Sequence, residues 1–372
     1  MNPLEEKIID RIKKEGLITF ETFMEMALYE PGLGYYSSEN TEIGKAGDFY
    51  TSQHLHPAFG AMVGKQLAEM WEIMGKPADF YVVEPGAGVG LMCMDILNYL
   101  GKKDIFHSFT YVIVELNPFI QHNQNKLLEK YSDKITWVSS LKEISNIKGC
   151  ILSNELLDAF PVHLIEMDDD LKEIYVGFND NSIHEIKGNP GMKALSDYLS
   201  EFSISLPKSY RTEINLRIKD WLRSVNEVLS EGFVFTIDYG YPALDYYSED
   251  RNRGTLLCYY KHQVNEDPYK NIGKQDITAH VNFSSVKKWG ERLGLKTLGF
   301  CQQGTYLISL GIDEVINELY VNSSDYLFEV AKIKRLIFPG TIGETHKVMI
   351  QYKGDGIPYL RGFSMKNQAD KL

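Results

Sequence analysis

The sequence lacks several features that would assign it to a special class of protein. It has no run of about 18 uncharged apolar residues, so no segment is expected to span a bilayer. Its four cysteines include no C-x-x-C pair, which argues against a zinc knuckle and a disulfide framework. Positive charge is not in excess either, because 39 Lys and Arg residues against 51 Asp and Glu residues give a net charge of −12. We therefore expect no membrane insertion and no nucleic-acid partner.

Residues 1–15 also lack the features of a targeting segment. Acidic residues lie among the lysines, unlike an acid-poor transit peptide, and no apolar run is present to serve as a signal peptide. Unpaired cysteines suit a reducing compartment. These observations predict a soluble cytoplasmic protein, and hydrophobic and charged fractions of 44% and 24% are ordinary for a globular chain.

The pattern of the chain changes near residue 76. Apolar residues in 1–75 recur at the three- and four-residue spacing of amphipathic helices, with one helix predicted over Pro57 to Met74. Short apolar strands then alternate with helical segments. The predicted strands are Phe80 to Glu84, Phe109 to Glu115, Ile135 to Val138, Cys150 to Ser153 and Phe233 to Asp238, and the predicted helices are Leu91 to Leu100, Pro118 to Tyr131 and Ile214 to Leu229. This order predicts a doubly wound parallel α/β sheet.

We accordingly predict a helical segment over residues 1–75, an α/β core over 76–353 and a tail over 354–372. Three stretches interrupt the core. Residues 160–213 contain two alternating strands, Val162 to Met167 and Glu173 to Phe178, followed by a helix. Residues 241–275 form a long Tyr-rich loop of the kind that is often functional, and residues 304–345 are helical before a last strand, His346 to Tyr352.

The sharpest motif follows the first predicted strand. Glu84 ends this strand, and Gly86, Gly88 and Gly90 precede a helix. Glycines here let the backbone approach a ligand and turn into the helix N-terminus. A dinucleotide-binding loop reads G-x-G-x-x-G, whereas the third glycine here comes one position earlier, which disfavours an NAD-linked oxidoreductase.

A second carboxylate ends the next strand. Glu115, followed by Leu116, lies 31 residues after Glu84 (115 − 84), one βαβ step away, where a ribose diol is gripped. Class I methyltransferases bind S-adenosylmethionine with this combination of two carboxylates and a G-x-G-x-G loop. The cofactor has no phosphate, which fits a loop without Lys or Arg. The alternative is that the glycine-rich turn serves packing alone.

More polar residues follow the fourth and fifth strands. Asn154, Glu155 and Asp158 come after Cys150 to Ser153, and Asp238 ends the fifth strand. Because carboxyl ends of parallel strands line the ligand crevice, we expect Asn154 beside the cofactor. Glu155 and Asp158 could hold a guanidinium group by charge-assisted bonds. For Asp158 the role of a helix cap is equally plausible.

The histidines give weaker signals. His280 could act as a general base near neutral pH, although a lone histidine is more often a structural hydrogen-bonding residue, and the same holds for His262. His54 and His56 have chelating spacing but lack partner ligands, so no metal is predicted.

Taken together, these motifs resemble those of the MidA-type methyltransferases, which are related to a mitochondrial complex I assembly factor that methylates an arginine. The resemblance covers roughly residues 20–353 and includes the strings at 29–36, 47–52, 84–90, 153–162, 238–240, 253–256, 276–283 and 338–347. It implies a seven-stranded methyltransferase fold, S-adenosylmethionine as donor and a protein arginine as acceptor. It also implies that a segment containing Gly47, Asp48, Thr51 and Ser52 folds over the cofactor. The chain departs from the family pattern at Gln53-His54, Ala61, Val89 and Ser139-Ser140.

The predicted reaction is in-line transfer of the sulfonium methyl group to an arginine nitrogen. Glu155 and Asp158 would hold the guanidinium group, which is protonated at neutral pH, and Asp238 or His280 would take its proton. The alternative is an assembly chaperone that has this fold and binds a client without turnover. The sequence also allows a homodimer.

Overall fold

The computed structural model describes residues 2–39, 56–321 and 323–372. The helices are α1 Pro3–Glu15, α2 Phe20–Tyr29, α3 Ala58–Ile73, α4 Leu91–Leu100, α5 Pro118–Leu127, α6 Ala194–Glu201, α7 Arg217–Val228, α8 Ala243–Tyr246, α9 Phe283–Arg292, α10 Gln303–Leu310, α11 Ile312–Tyr320, α12 Tyr326–Ile337 and α13 Ile342–Thr345. The strands are β1 Ile18–Thr19, β2 Phe80–Pro85, β3 Phe109–Val114, β4 Ile135–Val138, β5 Ile147–Asn154, β6 His163–Met167, β7 Leu171–Asn179, β8 Ser182–Gly188, β9 Arg211–Ile214, β10 Leu229–Tyr241, β11 Leu257–Tyr260, β12 Gln263–Asn265, β13 Asp276–Thr278, β14 Val281–Asn282, β15 Lys296–Gln302 and β16 His346–Lys353.

The chain divides into two compact units. Unit 1 consists of Met1–Phe49, Leu157–Asp220 and Tyr241–Val286, and unit 2 consists of Tyr50–Leu156, Trp221–Gly240 and Lys287–Leu372. Each unit is therefore assembled from three separate stretches of sequence. The division predicted above, with boundaries after residues 75 and 353, stays a prediction.

Unit 2 contains the predicted doubly wound sheet. Seven strands follow one another in the order β15-β16-β10-β5-β2-β3-β4. The strands from β10 to β4 run parallel, and β16 lies antiparallel between β10 and β15. The α/β class is confirmed, and so are the five predicted parallel strands, with ends that differ from the prediction by at most four residues. Strand β15 was not predicted, because Gly299 interrupts a sequence with little apolar alternation.

In one row of this sheet, strands β5 and β10 have no room for a side chain. Gly149 on β5 stands opposite Tyr81 on β2 and Gly232 on β10. A Cβ atom on Gly149 would lie 2.0 Å from the Tyr81 carbonyl oxygen, and one on Gly232 would lie 2.0 Å from the Gly149 carbonyl oxygen. Both glycines have positive φ, 147° and 133°. Strands β5 and β10 therefore lack a side chain here, and the backbone of β5 lies directly against that of β2 at Tyr81.

Unit 1 is mainly antiparallel. Its larger sheet has the order β1-β7-β6-β9, with β8 paired to β7, and its smaller sheet has the order β12-β11-β13. Apolar residues of α1 and α2 pack with those of β6, β7 and β13 in one core. The hairpin and helix predicted within residues 160–213 are present, but β1 joins their sheet from the segment predicted to be helical. The expectation of a loop over 241–275 is wrong in part, because β11, which contains Tyr259 and Tyr260, pairs with β12 there.

Candidate active site

The glycine-rich loop joins β2 to α4 in unit 2, as predicted. Gly86, Gly88 and Gly90 have φ of 69°, 55° and 89°, all in the left-handed region that other residues rarely adopt. A Cβ atom on Gly86 would also lie 3.0 Å from Leu156 Cδ1. Gly90 is the N-cap of α4. The loop therefore leads directly into a helix N-terminus, whose free N–H groups can bind a ligand.

Glu84 ends β2 with an almost fully buried carboxyl group. Glu84 is 2% exposed, and its Oε2 accepts a hydrogen bond of 2.6 Å from the Tyr111 hydroxyl. Burial raises the pKa of Glu84 from 4.5 to about 7, although the bond from Tyr111 acts in the opposite direction. Glu84 can therefore gain or lose a proton near neutral pH, and its charged form would be stabilised by a cationic ligand.

Glu115 directly follows β3. Its Oε1 accepts the backbone N–H of Asn117 at 2.8 Å, and its Oε2 lies 3.4 Å from Nε2 of Gln124. Burial raises the pKa of Glu115, and these two hydrogen bonds lower it. The next residue, Leu116, is 75% exposed. The carboxylate is thus held in one orientation beside an apolar surface that a ligand could cover.

Gln124, on α5, connects the loop to Glu115 and was not predicted as a site residue. Its Nε2 donates to the Gly88 carbonyl at 2.8 Å, and its Oε1 accepts from Trp137 Nε1 at 3.0 Å. The side chain is fully buried. Sequence reasoning missed it because the polar residues on either side are exposed, so this stretch of α5 looks like a solvent-facing surface.

Glu155 begins the segment after β5 and has an unusual backbone. Its φ is 49°, in the left-handed region that favours glycine. Its backbone N–H donates to the Ile237 carbonyl at 2.8 Å, and its Oε1 lies 3.5 Å from Nδ2 of Asn154. The side chain is only 8% exposed. Strained, buried carboxylates of this kind are concentrated at functional sites.

Asp238 and His346 flank Glu155. The carboxylate of Asp238 is fully buried, and it accepts the backbone N–H of Leu156 at 3.2 Å and that of Tyr239 at 2.9 Å. The Nε2 of His346 lies 3.3 Å from Glu155 Oε1. His346 was predicted only as the first residue of the last strand, so its contact with Glu155 is a feature that strand assignment could not reveal.

Asn154 ends β5 with a buried acceptor. Its Oδ1 is shielded from solvent and has no hydrogen-bond partner among the described residues. A buried amide oxygen without a partner is costly. Asn154 therefore offers a polar atom to a ligand at the same end of the sheet as Glu84, Glu115 and Glu155.

Asp158 and His280 belong to unit 1. Asp158 is 4% exposed, and its backbone carbonyl accepts the N–H of Ala279 at 3.0 Å. Burial raises the pKa values of Tyr29 and Tyr36, and the negative charges of Asp276 and Asp158 raise them further. The alternative role of Asp158 as a helix cap is wrong, because strand β6 follows without an intervening helix.

His280 lines a cavity of about 620 Å³ within unit 1. Its backbone N–H donates to Thr255 Oγ1 at 3.0 Å, and its ring lies 5.4 Å from that of Tyr241. The cavity is lined by both acidic and basic side chains: Glu185, Glu213, Glu266, Asp267, Arg211, Arg251 and Arg253. The role of His280 as a base stays a prediction.

Several predicted positions lie outside the described residues, namely Gly47, Asp48, Thr51, Ser52, Gln53 and His54. His56 is described: its Nδ1 accepts the N–H of Ala58 at 3.0 Å, and its Nε2 lies 2.8 Å from Glu329 Oε2. Within residues 2–39, 56–321 and 323–372, no group of three His, Cys, Asp or Glu side chains could hold a metal ion.

Comparison with known proteins identifies the chemistry of this site. A family model described as "Putative S-adenosyl-L-methionine-dependent methyltransferase" matches residues 62–301, which is more than half of the chain. The chain belongs to this methyltransferase family. The crystal structure of a protein from Burkholderia thailandensis bound to S-adenosyl-homocysteine is similar over 99% of this chain and 96% of that one, with a TM-score of 0.90 and 28% identity. The cofactor of the methyltransferase is S-adenosylmethionine, as predicted.

Curated relatives of the methyltransferase extend over most of its length. The "Protein arginine methyltransferase NDUFAF7 homolog, mitochondrial" of Drosophila melanogaster is 24% identical over 94% of this chain and 85% of its own. The Caenorhabditis elegans homolog of the same name is 27% identical over 86% of this chain and 78% of its own. The predicted resemblance to the MidA-type family is thereby confirmed.

The prediction of a cytoplasmic protein is wrong. The matching relatives are named as mitochondrial proteins. Neither the acidic residues within 1–15 nor unpaired cysteines identify a compartment, because both describe only local composition. Across the part of the chain that the structure describes, no helix is both long and apolar enough to cross a membrane. The absence of a nucleic-acid partner and the homodimer stay predictions.

The residues of unit 2 fit S-adenosylmethionine. The cofactor carries a cationic sulfonium, an ammonium group and a ribose diol, and unit 2 offers two carboxylates, a backbone loop that approaches closely and the unpartnered Oδ1 of Asn154. No basic side chain occupies the loop. Each of these features complements a ligand that is positively charged and has no phosphate.

Proposed function

We propose that this methyltransferase methylates an arginine side chain of a partner protein. The matching curated relatives carry the name protein arginine methyltransferase, and the geometry of Glu155 supports the same reaction. A buried carboxylate at the carboxyl end of a central strand is suited to a guanidinium group, because charge-assisted hydrogen bonds are strong where water is excluded.

The observation that carries this proposal is the way Glu155 is held. Its left-handed backbone is fixed on one side by its own bond to Ile237 and on the other by the bond from Leu156 to Asp238. Strain of about 1–3 kcal/mol is expected for such a residue. We infer that Asp238 acts as a positioning residue, since each of its oxygens already accepts a backbone N–H.

We assign cofactor binding to the other residues at this end of the sheet. Glu84 and Asn154 would bind the cationic methionine part, Glu115 would bind the ribose diol, and Leu116 would cover the adenine. The backbone would come close to the cofactor at Gly86, Gly88 and Gly90. Gly47, Asp48, Thr51 and Ser52 stay cofactor-binding predictions from the family resemblance.

The mechanism follows from positioning and proton removal. When bound, S-adenosylmethionine would supply the sulfonium methyl group for the arginine nitrogen, with S-adenosylhomocysteine as the other product. Glu155 orients that nitrogen and accepts the proton that it loses. His346 Nε2, 3.3 Å from Glu155 Oε1, would then take this proton, which restores the carboxylate. Asp158 and His280 stay predictions for substrate binding and proton transfer in unit 1.

The test is the substitution Glu155→Gln, which keeps the side-chain shape and removes the charge. We expect methyl transfer to fall at least 100-fold, in line with the usual contribution of an acid–base group. We also expect the affinity for S-adenosylhomocysteine to change little. The assay measures radiolabelled methyl groups in proteins of an extract from cells that lack this enzyme, with methylarginine identified by mass spectrometry after hydrolysis.

A matched control is Glu231→Gln. Glu231 lies near the start of β10 in the same unit, where it pairs with Lys148 at 3.4 Å. This variant should methylate like the wild type. Label recovered only in nucleic acid or small molecules would refute the protein substrate. Cofactor binding without any transfer by the wild type, in every extract tried, would favour the chaperone alternative.

A further inference from the structure

Gln124 makes a set of contacts that require a side chain able both to donate and to accept hydrogen bonds. The Gly88 carbonyl can only accept and the Trp137 indole N–H can only donate, so the amide must present Nε2 to the first and Oε1 to the second. In this orientation Nε2 also lies 3.4 Å from the Glu115 carboxylate. The orientation of the amide is therefore fixed by its neighbours.

These contacts join three separate parts of unit 2. Gly88 belongs to the loop after β2, Glu115 follows β3, and Trp137 lies on β4. Gln124 itself is fully buried on α5. Packing alone would be served by an apolar residue of the same size, whereas here every polar atom of the amide is directed at the loop, the carboxylate or the strand beside them.

We propose that Gln124 is a positioning residue of the cofactor site, which holds the glycine loop and the Glu115 carboxylate at a fixed separation. The proposal rests on the proposed binding of the cofactor by Glu115 and the loop. Without Gln124, the loop carbonyl and the carboxylate would each lose a donor and could move apart. The cofactor would then have to restore their arrangement on binding, which weakens its affinity.

The first test is Gln124→Met, which keeps the volume and removes the amide. We expect the dissociation constant for S-adenosylhomocysteine, measured by isothermal titration calorimetry, to rise about tenfold, the effect of losing one or two hydrogen bonds. Gln121→Met is the control, because Gln121 is half-buried one turn earlier on the same helix. The dissociation constant of Gln121→Met for S-adenosylhomocysteine should stay within twofold of the wild-type value.

The second test separates positioning from general packing. If Gln124 acts through Glu115, the double variant Gln124→Met/Glu115→Gln should bind less weakly than the product of the two single effects predicts. If Gln124 only stabilised the fold, the loss of affinity in the double variant would equal the product of the two single losses. Should Gln124→Met fail to fold, Gln124→Leu replaces it, since leucine also removes the amide and has a similar volume.

The outcomes distinguish the inference from the function on which it rests. Normal affinity in the Gln124 variant that folds, together with weak binding by Glu115→Gln, would overturn the role of Gln124 alone. Multiplicative effects in the double variant would also overturn it. Normal affinity in Glu115→Gln as well would instead show that the cofactor site itself is assigned to the wrong residues.

Discussion

At the scale of single residues, Glu84 shows how burial changes a side chain's behaviour. Its folded-state pKa of about 7 lies above the ordinary value of 4.5. Between these two pH values the folded chain keeps a proton that the unfolded chain releases. The free energy of unfolding therefore decreases as the pH rises through this window, and the charged form above it is the less stable one.

Substitution of Glu84 should remove this dependence. We expect Glu84→Gln to gain stability relative to the wild type as the pH rises from 5 to 8, by roughly 2–3 kcal/mol in total. Urea denaturation of both proteins without cofactor, at each pH, measures the difference. The exposed Glu227→Gln is the control and should follow the wild type. A constant difference between Glu84→Gln and the wild type would contradict the raised pKa.

Only part of the site could be predicted residue by residue. Glu84, the glycines and Glu115 are recognisable in the sequence, because acidic residues at successive strand ends beside a glycine-rich turn are typical of a cofactor site. Gln124 gives no such signal, since its burial depends on where α5 packs. His346 could be assigned to a strand but not to Glu155, because that contact joins residues 191 positions apart (346 − 155).

At the scale of elements, the row formed by Tyr81, Gly149 and Gly232 limits what the central sheet tolerates. Each added Cβ atom would meet a backbone carbonyl oxygen of the neighbouring strand at 2.0 Å. Backbone atoms in paired strands cannot move aside as a flexible side chain can. The strands would have to separate, with loss of ladder hydrogen bonds.

We expect Gly149→Ala and Gly232→Ala each to lower the free energy of unfolding by about 3 kcal/mol. Gly75→Ala is the control: its φ is 79° but nothing lies within 4 Å of the added Cβ, so only backbone strain of about 1 kcal/mol remains. Chemical denaturation measures all three. Equal losses in the three variants would mean that contact within the sheet is unimportant.

The elements themselves were mostly predictable from the sequence. Helix α4 begins and ends where the apolar pattern and the flanking glycines predict, and β4 also matches. Strand β15 and the pair β11 and β12 were missed because they are short, polar or interrupted by glycine. Pairing partners far away in the chain stabilise such strands, and the local sequence does not indicate those partners.

At the scale of the whole molecule, the four cysteines are distributed between the two hydrophobic cores. Cys93, Cys150 and Cys301 belong to the core of unit 2, and Cys258 belongs to that of unit 1. All four are buried, and burial raises the pKa of each thiol, to about 12 for Cys258 and Cys301. Reaction with a thiol reagent therefore requires a core to open.

Destabilising one core should therefore speed the reaction of the thiols in that core with a thiol reagent. We expect Gly149→Ala to speed labelling of Cys93, Cys150 and Cys301 by roughly 100-fold, as a loss of about 3 kcal/mol implies. Cys258 should change less, because it reports on the core of unit 1. Alkylation followed by mass spectrometry of each cysteine measures the rates. Equal acceleration at all four would mean that the two units open only together.

The place of β16 in the sheet has a consequence for synthesis of the chain. It is the last strand in sequence, yet it lies between β10 and β15. Strands β10 and β15 therefore leave the ribosome before β16, which pairs with both, has been synthesised. Until β16 emerges, both carry unpaired N–H and C=O groups, which attract other strands. In this interval we expect the nascent chain to be most prone to pair with the strands of other chains.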